Sequence, residues 1–201
     1  MKTQILPATD IRSALGVLQA GGLVAFPTDT VYGLGALAFN NEAIESIYEA
    51  KDRPLEKAIP ILIADADDLN RIAEEIPAMA RLFATRFWPG PLTCIVPKKQ
   101  TLPQAVSATS TVAVRIPDHL DARALLRAAG PMAVTSANLS GGKNPSTAQE
   151  VYEQLNGRIR LILDGGGTPG GVPSTLVDCT GNLPKILREG PISLADLLSV
   201  M

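Results

Sequence analysis

Residues 111–136 have the sequence TVAVRIPDHLDARALLRAAGPMAVTS, in which two short apolar runs flank an amphipathic segment. The runs, Val112–Ile116 and Met132–Thr135, have the length and β-branched content of strands. The segment between them, His119–Ala129, has the length of a helix. A strand, a helix and a second strand in succession predict an α/β fold.

The same alternation continues in both directions along the chain. Further strands are predicted at Leu23–Phe26, Ile59–Ile63, Leu92–Val96, Ile159–Leu163, Thr175–Cys179 and Lys185–Arg188. Further helices are predicted at Asp10–Ala20, Asn41–Lys51, Ala78–Phe87 and Thr147–Leu155, the last opened by the capping box Thr147-x-x-Glu150. Because no helix is predicted between the strands after Asp164, we expect a mixed sheet.

The composition limits the classes of protein that this chain can represent. Its 201 residues are 46% hydrophobic and 19% charged, which suits a single domain over residues 1–201. One histidine and two cysteines are too few for a four-ligand zinc site, so no protein-bound metal is predicted. No apolar run is long enough to cross a bilayer, and the start lacks the apolar segment of a signal peptide. We therefore expect a cytoplasmic protein with no membrane partner.

The 17 glycines and 16 prolines cluster in segments that follow predicted strands. These segments are Pro27–Gly35, Trp88–Pro91, Gly141–Pro145 and Gly165–Pro173. Glycine permits close approach of the backbone to a ligand, and proline stiffens the loop around it. Residues 165–170, GGGTPG, match a dinucleotide-binding pattern but lead towards a strand instead of a helix, which favours a simple loop. The arrangement predicts a small-molecule pocket.

Residues suited to nucleophilic catalysis are scarce. His119, the only histidine, stands at a predicted helix start, where capping is its expected role. Cys94 lies within an apolar strand and Cys179 ends another, so both are expected to be buried and unreactive. We therefore expect chemistry that depends on binding and charge.

Cations and hydroxyls at and near the ends of the predicted helices and strands predict an anion site. Lys51, Arg53 and Lys57 lie within seven residues and suit a polyphosphate, although basic residues at a helix end also interact with the helix dipole. Arg115 lies within a predicted strand and needs a partner, either a substrate anion or a structural carboxylate. Hydroxyls and an amide follow the strand before Ser136. Together these groups predict a pocket for an anionic, hydroxyl-rich ligand.

Seven blocks, in this order and spacing, resemble the short bacterial form of the YrdC-type threonylcarbamoyl-AMP synthases. The blocks are Pro27–Leu34, Lys51-x-Arg53-Pro54, Trp88–Thr93, Val112–Pro117, Thr135–Gly141, Ser174–Asp178 and Leu187–Gly190. The resemblance extends over about residues 10–195. It implies a YrdC-like fold, in which a twisted mixed α/β sheet with flanking helices surrounds a deep basic cavity.

The resemblance also implies a reaction. Members of the family combine L-threonine, bicarbonate and ATP into L-threonylcarbamoyl-AMP and release pyrophosphate, with ATP as a substrate that brings Mg²⁺. Downstream tRNA-modification proteins then transfer the threonylcarbamoyl group to tRNA. Direct tRNA binding is not favoured by the net charge of −2.

Matching positions carry the family's roles over to this chain. Lys51 and Arg53 are the implied catalytic residues. They are expected to bind ATP together with Lys57, Thr111, Ser136, Asn138, Asn144 and Arg188. The implied threonine contacts are Thr30, Arg115 and Ser174. No residue is assigned to a metal.

Two alternatives remain open at this point. One is a paralogue with the same fold and a different acceptor substrate. The other is a non-catalytic RNA-binding factor, against which the net charge of −2 and the scattered lysines argue.

Overall fold

One ten-stranded sheet organises the computed structural model, which describes residues 2–169 and 171–201. The strands are β1 (Gln4–Pro7), β2 (Val24–Phe26), β3 (Gly33–Leu37), β4 (Ile61–Leu62), β5 (Leu92–Pro97), β6 (Thr111–Arg115), β7 (Met132–Ser136), β8 (Leu161–Asp164), β9 (Thr175–Asp178) and β10 (Lys185–Arg188). The helices are α1 (Ile11–Gln19), α2 (Asn41–Lys51), α3 (Leu69–Ile72), α4 (Ala78–Phe87), α5 (Leu120–Ala129), α6 (Ala148–Leu155) and α7 (Leu194–Leu198), with a 3₁₀ turn at Ala66–Asp68.

The sheet is mixed, as the sequence predicts. Its strand order is β1-β8-β2-β3-β7-β4-β6-β5-β9-β10. The pairs β1–β8, β2–β8, β4–β6 and β5–β9 are parallel, and the remaining neighbours are antiparallel. The expectation of an α/β fold with flanking helices is confirmed.

Two apolar cores lie on opposite faces of the sheet, because successive side chains of a strand point to opposite sides. In β7, Ala133 belongs to the first core, which includes Ile44 of α2. Its neighbours Met132 and Val134 belong to the second core, which includes Leu125 of α5. Helices α2, α4 and α6 thus contribute to the first core, and α1 and α5 to the second.

The second face continues over β4, β6, β5 and β9, where it forms the wall of a cavity. Thr93 of β5 and Arg115 of β6 point into this cavity. Cys94 and Val114, which alternate with them, belong to the first core. Alternate positions of these strands therefore face the cavity, among them the polar Thr93 and Arg115, and the positions between them pack on the first core.

Some elements differ from the sequence prediction. Strand β3 begins within the Pro27–Gly35 segment, and the hydrophobic periodicity does not reveal it, because glycine occupies two of its five positions. A Cβ atom at Gly33 would lie 2.7 Å from Val134 Cγ1, and one at Gly35 would lie 2.9 Å from Met132 Cε. Glycine is required there because side chains of β7 fill the space. Strand β1 and helices α3 and α7 are also additional, and the strand predicted at Ile59–Ile63 is reduced to two residues.

The predicted capping box of α6 forms only in half. The Thr147 hydroxyl accepts a hydrogen bond from the Glu150 backbone N–H at 3.2 Å. The Glu150 carboxylate, however, accepts from the backbone N–H and hydroxyl of Ser146, at 2.6 and 2.8 Å. These bonds lower the pKa of Glu150 to about 2.

Gly190 packs against the backbone of the residues that lead into β9, and its substitution tests this packing. A Cβ atom at this position would lie 2.3 Å from the Thr175 nitrogen and 2.6 Å from the Pro173 oxygen. Because both atoms belong to the backbone, Gly190→Ala should lower the free energy of unfolding by about 1–3 kcal/mol in a urea titration. At Gly181 the nearest atom is 3.9 Å away, so Gly181→Ala is the matched control. Equal stability of the two variants would contradict the packing described.

Candidate active site

The cavity on the second face has a volume of about 570 Å³, which is in the range of small-molecule sites. Three arginines, Arg53, Arg115 and Arg188, lie on its wall. Glu56 is the one carboxylate that the described residues contribute to this wall. The remaining lining is largely hydroxyl and apolar, so the cavity carries an excess of positive charge suited to an anionic ligand.

Arg115 ends β6 and is held by three protein acceptors. Its Nε donates to the Gly90 carbonyl at 2.9 Å, and Nη1 donates to the Thr30 hydroxyl at 3.1 Å. Its Nη2 donates to Asp29 Oδ1 at 2.5 Å, with both side chains largely buried. The partner that the sequence leaves undecided is therefore a structural carboxylate. A guanidinium has five N–H donors, so two remain for a ligand.

Two opposing effects act on the pKa of Arg115. Burial lowers the pKa of the guanidinium, and the neighbouring carboxylate of Asp29 acts in the opposite direction. An anionic ligand would add to the effect of Asp29, since an opposite charge stabilises the protonated form.

Arg188, in the edge strand β10, is hydrogen-bonded to Ser174, the residue before β9. Its Nε and Nη2 donate to the Ser174 carbonyl at 3.1 and 2.8 Å, and Nη2 also lies 3.1 Å from the Ser174 hydroxyl oxygen. Partial burial lowers the pKa of Arg188, and the positive charge of Arg115 lowers it further. An anion between the two guanidinium groups would relieve this repulsion.

Arg53 follows the end of α2. The helix ends because Asp52 adopts a left-handed conformation (φ 51°) and Pro54 follows. The guanidinium of Arg53 then donates from Nε to the Lys57 carbonyl at 3.2 Å and from Nη2 to the Ala58 carbonyl at 2.9 Å. These neutral acceptors orient the group without cancelling its charge, and burial lowers its pKa.

Lys51 is buried, with 1% of its surface exposed, and is not among the described residues that line the cavity. Its Nζ donates to the backbone carbonyls of Ser136 and Asn138, and its own carbonyl accepts from the Ser140 N–H at 2.8 Å. Burial, and next the charge of Arg53, lower the pKa of Lys51 to about 7. A neutral amine has two N–H donors, and the two carbonyls satisfy both. Lys51 therefore joins the end of α2 to the segment after β7.

The structure brings most of the predicted site residues together. Eight of them line the cavity: Thr30, Arg53, Thr111, Arg115, Ser136, Asn144, Ser174 and Arg188. Lys51, Lys57 and Asn138 are not among its described lining residues. The amide nitrogen of Asn138 donates to the carbonyls of Leu139 and Gly142, at 2.7 and 2.9 Å, and thereby stabilises the loop after β7.

Further polar residues line the cavity that the sequence does not single out. Ser107 and Thr109 form a chain of hydroxyls with the predicted Thr111, with oxygen–oxygen distances of 2.9 and 3.1 Å. Their alternation in the sequence SATST was an available signal, because residues at every second position of an extended segment share a face. Thr93 also lines the cavity, and Asp29 stands beside the predicted Thr30.

His119, Cys94 and Cys179, for which the sequence predicts capping or burial, have the predicted surroundings. The Nδ1 of His119 accepts from the Ala122 N–H at 3.4 Å and so caps α5. Cys94 and Cys179 are fully buried. Within the predicted loop 165–173, the Tyr32 hydroxyl donates to the Gly166 carbonyl at 2.7 Å, while Gly170 lies outside the described residues.

Within residues 2–169 and 171–201, no three side chains of the His, Cys, Asp or Glu type are grouped so that they could hold a metal ion. Among the helices of the same residues, none has the length and apolar character needed to span a bilayer.

Comparison with known proteins gives matches over most of the chain. A model of the Sua5/YciO/YrdC family, described as telomere recombination, matches residues 16–190. The chain is 45% identical over 193 residues to a threonylcarbamoyl-AMP synthase of Pyrococcus abyssi. It is 44% identical over 194 residues to a threonylcarbamoyl-AMP synthase of Bacillus subtilis. Its structure matches that of P. abyssi Sua5 complexed with L-threonine, with a TM-score of 0.95 and 42% sequence identity.

These matches cover different shares of the two partners. The two sequence alignments include 95% of this chain, but only 57% of the P. abyssi protein and 56% of the B. subtilis protein. The structural match includes 99% of this chain and 61% of the other. This chain thus spans little more than half the length of these curated relatives. The predicted YrdC-like fold is confirmed, and the chain belongs to the Sua5/YciO/YrdC family.

Proposed function

We propose that this chain is an L-threonylcarbamoyl-AMP synthase. The amine of L-threonine attacks the carbon of bicarbonate, and loss of water gives an N-carboxylate. A carboxylate oxygen then attacks the α-phosphate of ATP, so that pyrophosphate leaves and L-threonylcarbamoyl-AMP forms. The names of the P. abyssi and B. subtilis relatives support this assignment.

The observation that carries the proposal is the set of three oriented guanidinium groups in one cavity. Arg53, Arg115 and Arg188 are each anchored by protein acceptors. Groups held in this way stabilise developing negative charge without reorganising during the reaction. Attack at a phosphate requires mainly such positioning and neutralisation, which agrees with a described cavity wall that contains neither histidine nor cysteine.

The amino acid fits best beside Arg115. Two N–H donors of its guanidinium remain for a carboxylate, which a planar guanidinium binds in a bidentate manner. The hydroxyls of Thr30 and Ser174 lie on the same wall. The structure of the P. abyssi relative in complex with L-threonine supports an amino-acid site in this family.

The ATP phosphates are assigned to the two other arginines of the cavity wall. Arg53 and Arg188 would bind phosphates, with Thr111, Ser136 and Asn144 on the nucleotide side. Mg²⁺ supplies neutralisation of phosphate charge when it is bound. Glu56 is the single carboxylate available on the described wall, a donor set that suits a metal held mainly by ATP and water.

The wider context follows from the product. An acyl adenylate is an activated donor, and the family resemblance assigns its use to downstream tRNA-modification proteins, which would consume it in the cytoplasm. The whole reaction is assigned to one domain, because all of the proposed contacts lie on a single cavity.

Omission of single substrates tests the proposal. Purified protein is mixed with ATP, Mg²⁺, bicarbonate and L-threonine, and pyrophosphate and the adenylate are followed together. We expect product only when threonine, bicarbonate and ATP are all present. Pyrophosphate release from ATP that does not depend on threonine would point to the paralogue with another acceptor. A folded sample that neither binds nor consumes ATP would contradict the proposal and favour the RNA-binding alternative.

A matched pair of variants links this activity to the cavity. Arg53→Gln removes one oriented charge and should reduce kcat/KM for ATP about 10- to 100-fold, the effect of losing hydrogen bonds to a charged group. Arg127→Gln is the control, because Arg127 pairs with Asp65 at the surface and is about half exposed. Equal activity of both variants would remove Arg53 from the proposed site.

The lowered pKa of Lys51 predicts a pH dependence of ATP binding. Above pH 7 the folded protein holds Lys51 mostly neutral, since its pKa is about 7. Phosphates near Arg53 would favour the ammonium form, so ATP binding should take up a proton. Affinity should therefore fall as the pH rises above 7, by at most about tenfold per pH unit.

Calorimetry at pH 8 in two buffers of different ionisation enthalpy measures this proton uptake. The wild-type protein should take up a proton, and Lys51→Met should not. Lys99→Met is the control, because Lys99 is a surface residue whose ammonium bonds the Asn70 carbonyl at 3.0 Å. The same uptake in Lys51→Met as in the wild type would assign the proton to another group.

A further inference from the structure

Two buried hydroxyls form a pair on the cavity wall between two of its arginines. Thr93 Oγ1 and Ser174 Oγ are 2.7 Å apart, and the two residues are only 2% and 5% exposed. Arg115, Thr93 and Arg188 lie on β6, β5 and β10, and Ser174 immediately precedes β9. These four strands are consecutive in the sheet, so the hydroxyl pair bridges the amino-acid side and the Arg188 side of the cavity.

The hydrogen bonds of Ser174 determine what this pair can offer a ligand. A hydroxyl has one donor and two acceptor positions. Arg188 Nη2 already donates to the Ser174 oxygen at 3.1 Å. If Thr93 donates the 2.7 Å bond, both acceptor positions of Ser174 are filled. The hydroxyl proton of Ser174 then remains for an acceptor in the cavity.

We infer that Thr93 is a positioning residue, whose hydroxyl directs the Ser174 hydroxyl towards the amino-acid substrate and steadies Arg188 through Ser174. Thr93 itself is not required to touch the substrate. The substrate named here rests on the proposed function. The contacts of Ser174 with Thr93 and Arg188 belong to the structure, and the inference assigns the donor role in the 2.7 Å bond to Thr93.

Two substitutions of Thr93 separate its hydroxyl from its methyl group. Thr93→Val keeps the branched shape and removes the hydroxyl, whereas Thr93→Ser keeps the hydroxyl and removes the methyl. Thr93→Val should raise KM for L-threonine about 3- to 10-fold, the usual effect of one neutral hydrogen bond. Its kcat should change less, since the lost contact acts on substrate binding. Thr93→Ser should restore the KM of the wild-type protein.

A third substitution controls for the general cost of removing a buried hydroxyl. The Thr3 side chain is also buried, and its hydroxyl donates to the Ile159 carbonyl at 2.6 Å. Thr3 is not among the described residues that line the cavity. Thr3→Val should therefore lower stability while leaving KM for L-threonine unchanged.

The outcomes distinguish this inference from the proposed function. The inference is overturned if Thr93→Val keeps the wild-type KM, or if Thr93→Ser is impaired as strongly as Thr93→Val. If the wild-type protein shows no threonine-dependent turnover, the proposed function fails, and ATP binding by calorimetry then tests Thr93 through Arg188. Weaker ATP binding by Thr93→Val than by Thr93→Ser would still support the inference, and equal binding would overturn it.

Discussion

The ion pair between Arg115 and Asp29 connects the segments from which the cavity is built. A buried guanidinium without a partner is very unfavourable, so the position of Arg115 at the end of β6 requires nearby acceptors. Asp29 and Thr30 come from the segment after β2, and the Gly90 carbonyl comes from the segment before β5. One side chain therefore holds three separate parts of the chain at the cavity wall, and two of its N–H donors are left without one of these acceptors.

The other basic residues of the region differ from Arg115 in the kind of acceptor that holds them. Arg53 and Arg188 are held by backbone carbonyls, which orient a charge but do not neutralise it, and the amine of Lys51 is held in the same way. The result is a local excess of positive charge in a protein whose net charge is −2. For Lys51, burial is strong enough to bring the pKa to about 7. Such a site is suited to a polyphosphate, because the ligand supplies the negative charge that the neutral carbonyls do not provide.

The sequence predicts the α/β class, the mixed sheet and most of the strands, since apolar runs and their boundaries are local features. It does not predict β3, because the space that Gly33 leaves is filled by Val134, a contact that no periodicity contains. The partner of Arg115 is similarly out of reach, since Asp29 is 86 residues away. Family motifs predict Lys51 as a phosphate contact, but they do not predict that its ammonium bonds the carbonyls of Ser136 and Asn138. Burial and orientation depend on the assembled fold, and motifs alone do not specify them.

A crystal structure with ATP, Mg²⁺ and L-threonine bound tests most directly whether anchored arginines form the substrate site. We expect the threonine carboxylate within hydrogen-bond distance of Arg115, the phosphates between Arg53 and Arg188, and the ion pair of Arg115 with Asp29 intact. Substrates bound elsewhere, or phosphates in contact with none of the three arginines, would contradict the assignment of this cavity.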